Sequence, residues 1–362
     1  MRWIRSHGWE LACAFVTAPA IAIAAWNGDV ARLAMGAFGP PPDVFLLRWL
    51  GVGLALTALA ASRRLASGGL EAARWLVVLA AALSIAATGS FWRGRDVRTR
   101  SVRFAGPNIT IAGTVYTPAS GGPFPALVLV HGSAPLKRGF YALWAEHLAR
   151  AGFVVLVPDK RGVGGTGGTF ESENNTSRAN VDLLAADVVA AVAFAAGLPD
   201  VDSSRVGLFG LSQAGWVAPL AARGSPQVRF LALITAPAVS VHEEGVWSDW
   251  LGDDERGANV ARVDATRMMD TVASRGLDAR SSLAKLEIPG LWLFGADDNS
   301  IPTVKSVSVL DSLVRSDGKR FTTVTFAGAG HLLLTRAGGF VPRIDPKSWD
   351  QLTIWLRRIT ER

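Results

Sequence analysis

The sequence predicts an α/β protein, with a doubly wound and mostly parallel sheet preceded by an N-terminal transmembrane helical region. Two observations indicate this fold class. From about residue 98, short apolar runs alternate with helical stretches, whereas the preceding residues contain three long apolar runs. Charged residues make up only 19% of the 362 residues, which is fewer than in ordinary soluble domains. We therefore divide the chain into a transmembrane region, 1–95, and an α/β domain, 96–362.

The transmembrane region is predicted from apolar runs at about 9–26, 44–61 and 75–92, each close to the ~20 residues that cross a bilayer. Tryptophans and arginines lie at or near the ends of these runs, where membrane proteins place them at the interface. One alternative remains. Arg2 and Arg5 precede a short apolar run and several small residues, which is the pattern of a cleavable signal peptide. Cleavage would leave two spans.

The net charge of +7 lies entirely within the first 103 residues, which hold twelve arginines, no lysine and five acidic residues. This distribution is typical of arginines that flank membrane segments, and it supplies no basic face for nucleic acid on the neutral α/β domain. We expect a plasma or inner membrane protein. Its flanking arginines are nearly balanced between the two sides, so the first segment, which usually dominates, favours an α/β domain on the outer side. The single cysteine, Cys13, excludes a disulfide framework and a cysteine-rich zinc site.

The α/β domain is predicted to open with an antiparallel pair of strands, at 102–104 and 109–116. The later apolar runs are continuous, as in strands buried on both faces of a parallel sheet. Helical stretches separate these runs, which indicates a doubly wound arrangement. The further strands are predicted at 126–130, 153–157, 206–209, 230–234, 291–294 and 321–326, and the helices at 140–151, 179–196, 214–222, 304–314 and 346–359.

One connection is unusually long. More than fifty residues separate the strand ending at Thr235 from the strand beginning at Leu291, and insertions of this length are usually functional. Apolar residues recur there at near-helical spacing, so we predict a small helical cap at about 238–287, above the functional site. A simpler interpretation is that most of them pack the cap on the sheet. These residues are Trp247, Trp250, Leu251, Val263, Met268 and Met269.

A serine follows one of the buried strands in a glycine-rich turn. The strand at 206–209 continues into Gly210-Leu211-Ser212-Gln213-Ala214-Gly215 and then into a helix. A serine at a sharp strand-to-helix turn has an exposed hydroxyl, and the helix N-terminus favours developing negative charge. The alternative is that Ser212 is only a helix N-cap.

Three further motifs follow other strands: His131-Gly132-Ser133, the segment 295–302 with Asp297 and Asp298, and Gly330-His331. In a sheet of this kind, chemistry takes place at the carboxyl ends of the strands. The chain order serine, aspartate, histidine matches that of one nucleophilic fold. The glycine pattern at 162–167 is followed by no helix, so a dinucleotide site is not expected.

On these residues, about 100–362 resemble an α/β-hydrolase, nearest to the dienelactone-hydrolase and prolyl-oligopeptidase-like esterases. A fourth supporting segment is Asp159-Lys160-Arg161-Gly162-Val163-Gly164. In the family, the second glycine of the serine motif comes two residues after the serine. Here that position is Ala214, with Gly215 beside it. The three predicted spans lie outside the resemblance.

The resemblance implies a role for each motif. Ser212 would be the nucleophile and His331 its general base. Asp298 would orient the imidazole, with Asp297 as the alternative carboxylate. The backbone N–H groups of Ser133 and Gln213 would form the oxyanion hole. No cofactor and no metal are implied.

The sequence therefore predicts a membrane-anchored serine hydrolase of the carboxylesterase type, which cleaves ester or thioester substrates through an acyl-serine. Its expected partners are a small-molecule ester or acyl substrate and the lipid bilayer, and not nucleic acid. The alternatives are an acyltransferase or a serine peptidase that uses the same three residues, or a non-catalytic membrane-bound binding module.

Overall fold

The computed structural model describes residues 96–173, 175–252, 260–335 and 343–361. The predicted spans and the signal-peptide alternative lie outside these residues, so the transmembrane region and the domain division remain predictions. In the described part of the chain, one helix, Arg178–Ala196, is long and apolar enough to cross a membrane. Its buried residues belong to the main hydrophobic core, so here it is a core helix.

Within the described residues, eight strands form one sheet: β1 (Val97–Gly106), β2 (Ile109–Pro118), β3 (Phe124–Val130), β4 (Val154–Pro158), β5 (Val201–Leu211), β6 (Val228–Ile234), β7 (Gly290–Gly295) and β8 (Phe321–Phe326). Their order is β1-β2-β4-β3-β5-β6-β7-β8. β2 pairs antiparallel with both β1 and β4. All other neighbouring strands are parallel, so the predicted mostly parallel sheet is confirmed.

Helices connect most of the parallel strands. They are α1 (Ala142–Arg150), α2 (Arg178–Ala196), α3 (Ala214–Gly224), α4 (Val241–Leu251), α5 (Arg262–Met268), α6 (Arg280–Leu283), α7 (Thr303–Asp317) and α8 (Pro346–Thr360). Two short strands, β9 (Leu334–Thr335) and β10 (Arg343–Ile344), pair separately from the sheet.

Helices cover both faces of the sheet. Val128 of β3 lies in the same buried cluster as Val181 of α2 and Val217 of α3. Successive side chains of a strand point to opposite faces, so the neighbouring Leu127 and Leu129, both fully buried, face the other layer. In that layer α1 and α8 pack together, as do their aromatic rings at Trp144 and Trp349, with centroids 6.4 Å apart. This is the three-layer arrangement of a doubly wound domain.

The carboxyl ends of four adjacent strands meet at one edge of the sheet. Leu211 at the end of β5 pairs with Ile234 of β6, and Ile234 pairs with Leu293 of β7. Gly295 of β7 pairs in turn with Phe326 of β8. The segments that follow β5, β7 and β8 therefore begin at the same edge, and they contain the predicted serine, aspartate and histidine.

The insertion between β6 and β7 contains α4, α5 and α6. Ser240 and Glu243 form a capping box at the start of α4. Glu243 also accepts two 2.7 Å hydrogen bonds from Arg280 of α6, which ties the two helices together. Burial alone would raise the pKa of Glu243, but the hydrogen bonds from Arg280 and Ser240 lower it to about 2.

The described part of the insertion has a small core of its own. Trp247, Ala265 and Met269 are buried against one another, which agrees with the near-helical spacing of the apolar residues. Two members of that set, Val263 and Met268, are exposed and lie outside this core.

Candidate active site

Ser212 lies in a tight turn between β5, which ends at Leu211, and α3, which begins at Ala214. Its φ of 53° is in the left-handed region, which a residue with a side chain adopts rarely. The backbone N–H of Ser212 donates to Ile234 O at 3.1 Å, and its carbonyl accepts from Gly215 N at 2.9 Å. The N-cap position of α3 is occupied by Gln213, so Ser212 is not the N-cap of this helix.

Two glycines allow this turn. A Cβ added to Gly210 would lie 2.5 Å from Ala214 Cβ, and one added to Gly215 would lie 2.3 Å from Pro237 O. These contacts explain why alanine replaces the family's second glycine at position 214. The Ala214 methyl group fits over Gly210, which has no side chain. The close approach to the backbone occurs instead at Gly215.

Asp298 and His331 form an acid–base pair in which the carboxylate is buried and the imidazole is partly exposed. The Asp298 side chain is fully buried and accepts from His331 Nδ1 at 2.9 and 3.1 Å. Its Oδ1 also accepts from the backbone N–H groups of Ser300 at 2.8 Å and Ile301 at 3.0 Å. Because Nδ1 donates to the carboxylate, Nε2 is the basic nitrogen of the ring. Asp297 is exposed, so of the two candidate carboxylates it is Asp298 that contacts the histidine.

The loops that carry this pair are bonded to each other. The N–H of Asp297 donates to Ala329 O at 2.9 Å, and a Cβ on Gly295 would lie 2.4 Å from the same oxygen. Leu332 and Leu333, directly after His331, both have a φ of 59°. The histidine therefore lies in a strained turn, and strain of this kind concentrates at functional sites.

The loop after β3 contacts the serine turn. A Cβ on Gly132 would lie 3.5 Å from Ser212 Cβ, in ordinary van der Waals contact. Gly132 N donates to the Tyr141 hydroxyl at 3.1 Å. The two predicted oxyanion donors, on Ser133 and Gln213, therefore belong to adjacent segments.

His131 has a structural position. It is buried, its Nε2 donates to Pro158 O at 2.7 Å, and burial lowers its pKa to about 4. The neutral ring links the end of β3 to the end of β4. His131 therefore shapes the turn after β3.

The glycine-rich segment at 162–167 wraps around a carboxylate of the protein itself. Asp159 accepts from Arg138 N and from Gly165 N, both at 2.9 Å. Gly164 has a φ of 60°, and a Cβ there would lie 2.4 Å from Asp159 Oδ2. The glycines of this pattern are thus needed for packing against Asp159.

Two basic residues near the site were not among the predicted site residues. Lys160 is buried after β4, and its only signal was its place between Asp159 and Arg161. Arg262 of α5 donates to Asp298 O at 2.7 Å and to Asp297 O at 2.9 Å. It also donates to Asn299 Oδ1. Most of its partners are backbone oxygens, which every residue has, so the sequence gives little signal for this contact.

Comparison with known proteins identifies the family. The model of the prolyl oligopeptidase family, peptidase S9, matches residues 140–361, which is more than half of the chain. This chain belongs to that family. The predicted resemblance to the prolyl-oligopeptidase-like hydrolases is confirmed.

Individual relatives agree with this assignment. An uncharacterised protein of Pseudomonas aeruginosa is 33% identical over 123 residues, which are 33% of this chain and 31% of that protein. The match thus spans about a third of the relative's length. A Methylorubrum extorquens protein whose name proposes a carboxymethylenebutenolidase is 26% identical over 251 residues, or 67% of this chain and 74% of that protein.

A solved structure from Klebsiella pneumoniae, proposed to be a dienelactone hydrolase, matches with a TM-score of 0.54 at 15% identity. The match covers 74% of this chain and 99% of that one. It shows that this domain has the α/β-hydrolase fold. With the family assignment, it makes the chain a hydrolase of the peptidase S9 family with dienelactone-hydrolase-like neighbours.

Proposed function

We propose that the protein is a membrane-anchored serine hydrolase that cleaves carboxylic ester or thioester bonds through an acyl-serine on Ser212. The observation that carries this proposal is the left-handed backbone of Ser212, at the same sheet edge as the segments that hold the Asp298–His331 pair. A strained serine beside such a pair is the arrangement of an activated nucleophile.

The chemistry follows from these groups. His331 Nε2 accepts the proton of the Ser212 hydroxyl as Oγ attacks the substrate carbonyl carbon. The backbone N–H groups of Ser133 and Gln213 stabilise the oxyanion. Asp298 stabilises the imidazolium, which then donates its proton to the leaving alcohol or thiol. Water deprotonated by His331 attacks the acyl-serine, releases the acid and restores the hydroxyl.

A serine peptidase is the second candidate, because the chain belongs to a family named for an oligopeptidase. We favour an ester substrate, because a relative aligned over 74% of its own length has a name that proposes hydrolysis of a lactone, which is a cyclic ester. The two activities differ in the leaving group that the enzyme must expel, which is an alkoxide-type oxygen or an amine.

Paired substrates test this choice. The detergent-solubilised full chain is given p-nitrophenyl esters and p-nitroanilides that carry the same acyl groups, including short peptidyl groups. We expect the unchanged protein to cleave the esters and Ser212→Ala to cleave none of them. Ser204→Ala should keep full activity, because Ser204 is an exposed serine near the other end of β5. A kcat/KM for a peptidyl anilide that equals that of the matched ester would favour the peptidase.

The membrane anchor is the second part of the proposal. It is supported by the apolar runs in the first 95 residues, by the tryptophans near their ends and by the confinement of the net charge to the first 103 residues. The anchor would present the hydrolase domain to substrates at or near a membrane surface.

A further inference from the structure

A buried lysine connects the two segments that hold the proposed oxyanion donors. Lys160 is 4% exposed, and its Nζ donates to Gly132 O at 2.8 Å, Ser133 O at 2.8 Å and Gln213 Oε1 at 2.9 Å. An ammonium group has three N–H donors, and here each has an acceptor. All three acceptors are neutral oxygens.

The lysine has no carboxylate partner among these contacts. The neighbouring carboxylate, Asp159, accepts instead from Arg138 and Gly165. The ring of Phe170 lies 5.2 Å from Lys160 Nζ and adds only a weak attraction for the charge. Burial of a charge without an opposite charge costs free energy, so stability alone does not account for a lysine there.

The hydrogen bonds form a closed ring around the site. Gln213 Nε2 donates to Asn175 O and Oδ1, both at 2.9 Å. Asn175 Nδ2 donates to Ser133 O at 2.8 Å, the same oxygen that accepts from Lys160. The positions of the Ser133 peptide and of Gln213 are therefore fixed from two sides.

We propose that Lys160 is a positioning residue for the oxyanion hole, which holds the backbone N–H groups of Ser133 and Gln213 at the separation that the tetrahedral intermediate requires. This inference rests on the proposed serine-hydrolase function. The oxyanion gains its full charge only as the intermediate forms. Loss of the positioning therefore lowers kcat and leaves KM nearly unchanged.

The charge state of Lys160 gives the proposal a pH signature. Burial lowers the pKa of Lys160 to about 7. The neutral amine has two N–H donors and one lone pair, so one of its three oxygen partners then faces a lone pair. We expect kcat to fall as the pH rises through this pKa.

Other groups around Lys160 are already engaged. The His131 ring is neutral, since burial lowers its pKa to about 4. Arg161 pairs with the Asp187 carboxylate through two hydrogen bonds, and Asp159 pairs with Arg138. The titratable and charged groups on the neighbouring segments are His131, Arg138, Asp159, Arg161, Glu171 and Asp187.

Stability should change in the opposite direction to activity. The folded pKa of about 7 lies below the ordinary lysine pKa of 10.5, so between these values the unfolded chain binds more protons than the folded one. The contribution of Lys160 to stability therefore rises with pH in this range. If unfolding at Lys160 caused the alkaline loss of kcat, the contribution of Lys160 to stability would have to fall with pH.

The experiment compares Lys160→Met and Lys160→Arg with the unchanged full-length protein in detergent, using a p-nitrophenyl ester between pH 6 and pH 9. Methionine keeps an apolar stem without donors. We expect it to lower kcat by about 10²-fold, as removal of an oxyanion donor does, and to abolish the alkaline decline. Arginine stays charged, so it should retain more kcat than methionine, also without the decline. Lys285→Met, at an exposed lysine, is the matched control.

An unchanged kcat in a folded Lys160→Met variant, or a loss confined to KM, would overturn the inference. Where Lys160→Met does not fold, an alkaline decline that persists in Lys160→Arg would overturn it. Failure of the proposed function gives a different result: the unchanged protein then neither hydrolyses esters nor reacts at Ser212.

Discussion

Ser212 has a backbone conformation that its side chain disfavours, and its neighbours hold it there. A left-handed residue with a Cβ costs about 1–2 kcal/mol. Two backbone hydrogen bonds hold the turn, from Ser212 N to Ile234 O and from Gly215 N to Ser212 O. The turn is packed so closely that Gly210 and Gly215 have no space for a Cβ. The hydroxyl is thereby lifted out of the strand, where a substrate carbonyl can reach it.

A pair of variants at this residue tests the strain. Glycine has no Cβ and accepts a left-handed φ, whereas alanine keeps the conflict. We expect Ser212→Gly to exceed Ser212→Ala in stability by about 1 kcal/mol, with both inactive. Thermal unfolding followed by tryptophan fluorescence in one detergent measures the difference. Equal melting temperatures would mean that the Ser212 backbone is not strained.

The two neighbouring aspartates provide a second test. Asp298→Asn replaces the carboxylate that accepts from His331 Nδ1 with a neutral amide, which no longer stabilises the imidazolium. We expect kcat to fall by roughly 10⁴-fold, as it does when the same change is made in a serine protease. Asp297→Asn, at an exposed side chain, should change kcat little. Steady-state kinetics on one ester decide, and the reverse ranking would make Asp297 the functional acid.

At the scale of elements, the insertion between β6 and β7 contacts the loop after β7 that carries Asp297 and Asp298, which we call the acid loop. Arg262 of α5 donates to the backbone oxygens of Asp297 and Asp298, and Trp247 of α4 donates to Asp298 O at 3.2 Å. The Arg262 guanidinium lies 5.8 Å from the Trp247 ring. The described helices of the insertion thus help to set the position of Asp298 in addition to forming their own small core.

Variants of two arginines in α5 test whether Arg262 acts through its hydrogen bonds to the acid loop or only through its charge. Arg262→Leu removes the bonds to the acid loop, and displacement of a catalytic group by about 1 Å costs up to about 10²-fold in rate. We expect a loss of kcat between about 10-fold and 10²-fold, with a small change in KM. Arg267→Leu removes an exposed charge that pairs with Asp264 and should leave kcat unchanged. Equal kcat in the two variants would contradict the positioning of Asp298 by Arg262.

The strands show what sequence patterns can and cannot predict. The buried part of β1 was predicted from Val102 and Phe104, but the strand begins at Val97, because its first residues are exposed and pair only through the backbone. Ser212 and His331 were predicted as site residues because each follows a strand in a recognisable motif. Lys160 and Arg262 were missed because their partners are mostly backbone carbonyl oxygens distant in sequence, which leave no residue-type pattern.

At the scale of the whole molecule, the proposal divides the chain near residue 96. The motifs and the sheet lie after this point, whereas most of the net charge and the long apolar runs lie before it. We expect a variant that begins at Asp96 to be soluble and to cleave a small ester, while the full chain sediments with membranes. It keeps β1, whose loss would expose the edge of β2.

Ultracentrifugation, circular dichroism and ester hydrolysis check this division. A shortened chain that is folded but inactive, beside an active detergent-solubilised full chain, would show that catalysis requires residues before 96. A full chain that stays in the supernatant after membranes are sedimented would contradict the anchor.

The central claim is that Ser212 is a nucleophile activated by His331, and its most direct test is covalent labelling. The full-length protein is treated with a fluorophosphonate, and the modified peptide is identified by mass spectrometry. We predict a single adduct on Ser212, undiminished in Ser204→Ala, absent in Ser212→Ala and strongly slowed in His331→Ala. Labelling at another residue, or labelling of Ser212 at an unchanged rate without His331, would contradict the account.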